Sequence, residues 1–137
     1  EQDNIETCVT SLLSQDYPNL EVIAINDRSR DRTPDILRGI TSQNGVAFKA
    51  LHVSQLREGW FGKNNAMREG VEHATGEWLC FTDADCRQIS NRTISMAVRY
   101  ALEHHIDFLE TQLDLVDKLG LQLYSQGHMG KPGKAED

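Results

Sequence analysis

Residues 20–37 read LEVIAINDRSRDRTPDIL, an apolar run followed by a charged segment and the start of a helix. The apolar run is nearly continuous, which is typical of a short strand buried in a parallel sheet. Asn26 and Asp27 follow it, and Thr33 with Pro34 predicts a helix that has Thr33 as N-cap and Pro34 at its first position. The stretch therefore predicts a strand, a polar loop and a helix, in that order.

The flanking sequence continues this alternation. Apolar side chains recur at helical spacing over residues 5–13, which predicts an amphipathic helix before the first strand. After a cap at Ser90 or Asn91, apolar residues again recur at helical spacing. Further strands are predicted at 48–53, 77–82 and 106–109, and a further helix from about 64 to 74. This order predicts an α/β fold with a Rossmann-like, mostly parallel sheet flanked by helices.

Composition and charge exclude some classes of function. The 137 residues are 39% hydrophobic and 26% charged, with a formal net charge of −7, whereas a nucleic-acid-binding surface needs clustered Lys and Arg. Cys8, Cys80 and Cys86 lack CxxC spacing, and we interpret Cys8 and Cys80 as core residues of a protein in a reducing compartment. No apolar stretch is long enough to span a bilayer, so we expect a soluble, cytoplasmic chain.

Two polar clusters follow predicted strands. Asn26 and Asp27 end the first strand, and Asp83 and Asp85 follow the third. Ligands of parallel sheets bind beyond the carboxyl ends of strands, so both clusters face one crevice if these strands are neighbours. In extended chain the carboxylates of Asp83 and Asp85 project to one side, where they suit Mg²⁺ or Mn²⁺. A solvated acidic turn is the other interpretation.

The loops offer further candidate ligands. Asp27 is placed to accept a hydrogen bond from a base or ribose while Asn26 orients the loop, although an Asx turn explains both residues. Lys63 precedes a predicted helix and offers a cation beside free N–H groups, as a diphosphate site would; a solvated lysine is the other interpretation. Trp60 and Phe61 are candidates for stacking on a sugar or acceptor, and for Phe61 we favour a core position.

Two side chains near these loops are interpreted as structural. Cys86 follows Asp85, but a thiolate is a soft ligand that matches an oxygen site poorly. His52 ends the second strand and is interpreted as structural rather than catalytic. The remaining histidines show no zinc-binding spacing.

Three stretches occur in a characteristic order: NIETCVTSLLSQDYPNLEVIAINDRSRDRTPDIL at 4–37, GKNNA at 62–66 and WLCFTDAD at 78–85. Together they resemble the donor-binding part of family 2 glycosyltransferases of the GT-A fold, over roughly residues 1–105. The resemblance implies a nucleotide-sugar-binding domain at 1–110. For 111–137 we expect a segment without clear periodicity that ends in a flexible tail.

The resemblance implies roles at the matching positions. Asp27 would contact the nucleotide base, Asp83 would lie near the ribose and metal, Asp85 would bind the metal directly, and Lys63 would lie near the diphosphate. We also place Asn26 in the donor site, from its position beside Asp27. The implied activity is Mg²⁺- or Mn²⁺-dependent transfer of a sugar from a nucleotide-diphosphate sugar to an acceptor hydroxyl, with inversion.

The same resemblance suggests an acceptor class and indicates which parts of the family's domain this sequence lacks. The segment GWFGK at 59–63 resembles members that glycosylate lipids, so a lipid is a candidate acceptor and the full-length protein is expected in the cytoplasm or at the cytoplasmic face of a membrane. The family's first strand would precede Glu1, and no counterpart of its catalytic base occurs at 106–137. We therefore interpret the chain as lacking its first strand and acceptor half.

Two other functions remain open at this point. A sugar-nucleotide-binding fragment without turnover would carry the same donor motifs. A phosphatase of the haloacid dehalogenase type also has a DxD motif after a strand, and Asp83 would then be its nucleophile.

Overall fold

The computed structural model describes residues 1–110 and 122–125. Every helix and strand predicted between residues 5 and 109 is present in the predicted order, with bounds that differ by a few residues. The elements are α1 (Ile5–Leu13), β1 (Glu21–Asp27), α2 (Thr33–Gly39), β2 (Ala47–Val53), α3 (Gly62–His73), β3 (Trp78–Phe81), α4 (Thr93–Glu103), β4 (Phe108–Glu110) and β5 (Gln122–Ser125). The α/β class is confirmed. Of the predicted tail at 111–137, all but β5 lies outside the described residues.

The strands of the described residues form two sheets. β1 and β2 are parallel, with Glu21 opposite Ala47 and Asp27 opposite Val53, and α2 makes the crossover that a parallel pair requires. β3 belongs to a second sheet of order β3-β5-β4, in which both pairings are antiparallel. The condition that β1 and β3 be neighbours is therefore not met among the described residues, because the hydrogen-bonded partner of β3 is β5.

The core joins α1 and α4 to β1 and α2. On α1 the predicted apolar stripe is buried, and Leu13 is completely inaccessible. These side chains pack with residues from the other elements, namely Val22, Leu37, Val46, Ile94 and Val98. Burial of each large aliphatic side chain contributes roughly 1.5–3 kcal/mol to folding. None of the helices in the described part of the chain is long and apolar enough to cross a membrane.

Two of the three thiols behave as the sequence predicts. Cys8 is buried within the core and Cys80 is partly buried against it. Burial raises the pKa of Cys8 to about 11 and that of Cys80 to about 12, because a thiolate is poorly solvated there. Both thiols are therefore protonated at neutral pH, as expected of packing residues.

Two helices begin differently from the prediction. Thr33 is the first residue of α2 rather than its N-cap, and its backbone N–H donates to the Asp31 carboxylate at 2.9 Å. α4 begins at Thr93, so neither Ser90 nor Asn91 is the N-cap. The Ser90 hydroxyl instead accepts from the backbone N–H of Arg92 at 3.1 Å. In both cases a polar side chain bonds two residues ahead, in a turn that precedes the helix.

A cavity of about 820 Å³ separates β1 from β3. One wall is the apolar side of α3, where Gly70 lets the helix pack closely on β1: a Cβ at this glycine would lie 3.4 Å from Ile25 Cδ1. Lys63 and Asp83 lie among the lining residues, at the carboxyl ends of the strands. The first turn of α3 thus bridges the ends of the two separated strands.

Candidate functional site

Asn26 fixes the loop at the carboxyl end of β1. It is buried, and its amide Nδ2 lies 3.1 Å from His52 Nδ1 on the adjacent strand. Its Oδ1 accepts from the backbone N–H of Ser29 at 3.3 Å, three residues on, rather than from the residue two positions on as in the expected Asx turn. Asn26 and His52 therefore hold the end of β1, where Asp27 lies, and the loop that follows it.

Asp27 is held by its neighbour Arg28. The guanidinium donates from Nε to Oδ1 at 2.8 Å and from Nη2 to Oδ2 at 3.2 Å, a bidentate arrangement that fixes the plane of the carboxylate. This hydrogen bonding raises the pKa of Arg28. Arg28 has a φ of 58°, in the left-handed region that non-glycine residues seldom adopt. The sequence pattern did not single out Arg28, because a surface arginine in a charged loop carries no distinctive signal.

Gly62 brings the start of α3 against this pair. A Cβ at this position would lie 3.1 Å from Asp27 Oδ2 and 3.5 Å from Arg28 Nη2. Any larger side chain would have to displace one of them. The first turn of a helix has N–H groups without intrahelical partners, and these groups favour an anion. Gly62 therefore sets such a turn beside the end of β1.

Lys63 links α3 to the predicted metal-binding motif. Its ammonium donates to Asp83 Oδ1 at 2.8 Å, with both side chains mostly exposed. The hydrogen bond to Asp83, then the charges of Asp83 and Asp85, raise the pKa of Lys63. Lys63 is thus fully charged at neutral pH and lies within electrostatic reach of both carboxylates.

Asp83, Ala84 and Asp85 form a turn, and the expected extended conformation is wrong. The Asp83 carbonyl accepts from the backbone N–H of Cys86 at 3.1 Å, and this hydrogen bond closes the turn. The Cys8 thiol of α1 donates to the same carbonyl at 3.6 Å. α1 therefore helps to position the acidic turn, a role of Cys8 that its apolar spacing did not reveal.

The acidic turn fits a hard divalent cation in its chemistry. Asp83 and Asp85 supply the carboxylate oxygens that Mg²⁺ and Mn²⁺ prefer. Within residues 1–110 and 122–125, no group of three or more His, Cys, Asp or Glu is arranged to hold an ion. Cys86 is buried, with its sulfur 3.8 Å from Asp85 Oδ1. A cation at this turn would take its remaining ligands from water or from a bound phosphate.

The loop before α3 presents two exposed aromatic side chains. Phe61 is 80% exposed, so its predicted core position is wrong: the residue precedes the helix where the chain has left the sheet. Trp60 is also exposed, with the guanidinium of Arg68 4.9 Å from its ring centroid. Phe61 lies two residues before Lys63 and offers a solvent-facing apolar ring.

Sequence comparison agrees with the motifs. The family model described as Glycosyl transferase family 2 matches residues 1–129. Poly-beta-1,6-N-acetyl-D-glucosamine synthase of Staphylococcus epidermidis is 34% identical over 85 residues, which is 62% of this chain and 19% of that protein. The uncharacterized glycosyltransferase YibD of Escherichia coli strain K12 is 31% identical over 112 residues, 82% of this chain and 30% of that protein. The chain thus spans less than a third of the length of these relatives.

Solved structures share the fold. A mannosyltransferase from Pyrobaculum calidifontis, PcManGT, in complex with GDP-Man and Mn²⁺, has a TM-score of 0.76 at 22% identity, over 93% of this chain and 42% of that one. TarS 1–349 of S. aureus in complex with UDP-GlcNAc has a TM-score of 0.67 at 26% identity, over 87% and 33%. With the family model matching nearly the whole length, these likenesses show that the chain belongs to glycosyl transferase family 2 and has the GT-A fold.

Proposed function

We propose that this domain binds a nucleotide-diphosphate sugar together with Mg²⁺ or Mn²⁺, for transfer of the sugar to an acceptor hydroxyl. The observation that carries the proposal is the meeting of Lys63 and Asp83 at 2.8 Å beside the first turn of α3. A lysine, a helix N-terminus and an acidic turn are together the chemistry that binds a diphosphate with its cation. Family membership supports sugar transfer in general.

Asp27 is proposed to bind the nucleoside. Its carboxylate stands at the end of β1, where ligands of α/β sheets bind, and accepts hydrogen bonds as a base or ribose hydroxyl would donate them. Asn26 holds the loop through His52 and Ser29, so its contribution to donor binding is to keep Asp27 in place.

The diphosphate is proposed to lie at the first turn of α3. Lys63 reaches it from that turn, and the N–H groups of the turn favour its negative charge. Asp83 and Asp85 would hold the cation, which when bound offsets the charge of the departing nucleoside diphosphate. Support for a cation comes from Mn²⁺ in the PcManGT complex and from the two carboxylates here.

We propose an inverting transfer, in which the acceptor hydroxyl attacks the anomeric carbon from the side opposite the diphosphate. The attack needs a base that takes the hydroxyl proton. We assign to the described residues the binding of the donor and the compensation of the negative charge on its diphosphate.

A lipid is the acceptor class that we propose. The strongly exposed Phe61, two residues before Lys63, supports it, since a solvent-facing aromatic side chain gains free energy by contact with an apolar chain. This acceptor would place the full-length protein in the cytoplasm, at the cytoplasmic face of a membrane.

Titration calorimetry tests the donor site. UDP and GDP, and their sugar derivatives, are titrated into the protein with Mn²⁺, with Mg²⁺ and with EDTA. We expect metal-dependent binding of one nucleotide and its loss in Asp85→Asn, which keeps the size of the side chain but removes the charge. Equal affinity in metal and in EDTA would refute the assignment.

Binding without turnover is a second candidate for these 137 residues, because they cover only 33–42% of the two solved chains described above. A protein of this kind binds donor and metal but releases no free sugar and makes no product. The phosphatase interpretation, with Asp83 as a nucleophile, disagrees with the family match over residues 1–129.

A further inference from the structure

The ammonium of Lys63 occupies an oxygen that the proposed cation would need. It lies 2.8 Å from Asp83 Oδ1, and the charge of Asp85 acts on it as well. An ammonium and a divalent cation both bind carboxylate oxygen, and their mutual repulsion opposes binding at the same place. Lys63 and the cation therefore compete for Asp83.

The acidic turn by itself makes a weak cation site. Within the described ranges no third carboxylate, imidazole or thiol completes a cluster with Asp83 and Asp85 that could hold an ion. Two carboxylates leave most of the coordination sphere of Mg²⁺ or Mn²⁺ to water. With so few protein ligands, one nearby positive charge has a large relative effect on cation affinity.

A bound diphosphate would offer the Lys63 ammonium an alternative partner to Asp83. Its backbone lies in the first turn of α3, which Gly62 holds against Asp27, and helix N-termini bind phosphates. The side chain is mostly exposed, and its flexible stem turns without movement of the backbone. Phosphate oxygens at this turn would offer Lys63 new partners and would supply the cation with missing ligands.

We propose that Lys63 is an internal counter-ion of the nucleotide-free site, which it keeps closed to divalent cations until a diphosphate draws the ammonium away. This inference rests on the proposed function. It makes cation and nucleotide binding strongly interdependent, and it gives Lys63 opposite effects on the two ligands: it opposes the cation alone and favours the nucleotide.

Mn²⁺ binding to the nucleotide-free full chain tests the competition directly. Free Mn²⁺ is measured by electron paramagnetic resonance in titrations of the unaltered protein, Lys63→Met and Lys49→Met. Lys49 is an exposed residue of β2, so its substitution makes the same change in net charge away from the acidic turn. We expect Lys63→Met to bind Mn²⁺ about three- to tenfold more tightly and Lys49→Met to match the unaltered protein within about twofold, from the size of a single nearby charge in water.

Two further variants separate charge from shape. Lys63→Gln is also neutral and should repeat the gain, whereas Lys63→Arg keeps the charge and should bind Mn²⁺ as weakly as the unaltered protein. Circular dichroism of each variant confirms that the fold is retained. Equal Mn²⁺ affinity in Lys63→Met, Lys63→Gln and the unaltered protein would overturn the inference.

The same titrations with saturating UDP or GDP distinguish this inference from the proposed function. If the unaltered protein gains Mn²⁺ affinity with neither nucleotide, the donor site itself is wrongly assigned. If it gains affinity normally but neutral Lys63 variants bind Mn²⁺ alone no better, only the competition is refuted. Support for both requires tighter Mn²⁺ binding and weaker nucleotide binding in the same Lys63→Met protein.

Discussion

Gly62 and Asp27 are in close contact: a Cβ on the glycine would lie 3.1 Å from the Oδ2 of the carboxylate. The contact joins the first turn of α3 to the end of β1, while the next residue, Lys63, reaches the acidic turn. Because Arg28 donates hydrogen bonds to both oxygens of Asp27, a shift of the carboxylate away from Gly62 would disturb them. The distance between the proposed nucleoside contact at Asp27 and the proposed diphosphate contact at α3 therefore depends on the absence of a side chain at Gly62.

Gly62→Ala should weaken nucleotide binding with little change in stability. The methyl group would displace Asp27 or Arg28, and a shift of a few tenths of an ångström in such contacts costs about three- to tenfold in affinity. Calorimetry with the nucleotide that the unaltered protein prefers measures this. Gly39→Ala is the matched control, since nothing lies within 4 Å of a Cβ there. Equal affinities of the two variants would contradict the expected role of the contact.

Asn26→Ala should destabilise the fold by about 1–3 kcal/mol, because it removes a buried amide and leaves the Ser29 N–H and the His52 ring without their hydrogen-bond partner. Urea unfolding followed by circular dichroism gives the free energy. Asn64→Ala, at an exposed position of α3, should change the free energy of unfolding by less than about 0.5 kcal/mol. A cost at Asn26 no greater than at Asn64 would show that the loop does not depend on this amide.

The stability supplied by Glu21 should depend on pH. Partial burial opposes its charged form, but hydrogen bonds donated by the backbone and hydroxyl of Thr75, at 2.7 and 2.8 Å, outweigh this and lower the pKa of Glu21. A carboxylate whose pKa is lower in the folded state stabilises the fold above its unfolded pKa. That contribution is lost as the pH falls through the folded pKa.

Glu21→Gln should therefore cost stability at pH 7 and cost less at about pH 3, because acidification protonates the carboxyl group in the unfolded state before it does so in the folded state. Thr75→Val should lose about 0.5–1 kcal/mol at pH 7 for the missing hydroxyl hydrogen bond at this partly exposed site. Urea unfolding at the two pH values measures both. A cost of Glu21→Gln that stays constant or grows on acidification would contradict the assigned hydrogen bonds.

Phe61→Ala should leave stability and nucleotide affinity unchanged but weaken binding to an apolar acceptor. The ring is 80% exposed, so its removal costs the fold less than about 0.5 kcal/mol. Burial of the ring in a lipid surface would contribute about 1.5–3 kcal/mol, which corresponds to a loss of roughly tenfold or more in affinity. Flotation with phosphatidylcholine vesicles that contain ceramide measures it.

Leu56→Ala serves as the control for the lipid experiment, because Leu56 is another exposed apolar side chain in the segment before α3 but does not adjoin Gly62. Vesicle binding that is equal in Phe61→Ala and the unaltered protein would remove the structural support for a lipid acceptor.

Elements that depend on neighbouring residues in the chain could be predicted, whereas pairings between distant segments could not. β1 was predicted from one apolar run and α1 from one helical stripe, since each depends on residues adjacent in the chain. The antiparallel partner of β3 was not predicted, because β5 lies in a segment whose apolar residues follow neither the helix period nor the strand period. Phe61 was misplaced because its apolar character is a local property, whereas its exposure depends on where the loop leaves the sheet.

The sequence by itself determined the order of the elements, the carboxylates at the strand ends and the lysine near the start of α3, through the spacing of apolar residues and the chemistry of loop side chains. Only the tertiary structure decided which of these side chains touch. The ion pair of Lys63 with Asp83 spans 20 residues, and the contact of Gly62 with Asp27 joins separate elements. Such contacts depend on how α3 packs on β1 and on the turn that closes at Asp83, because packing and not sequence spacing sets the distance between distant residues.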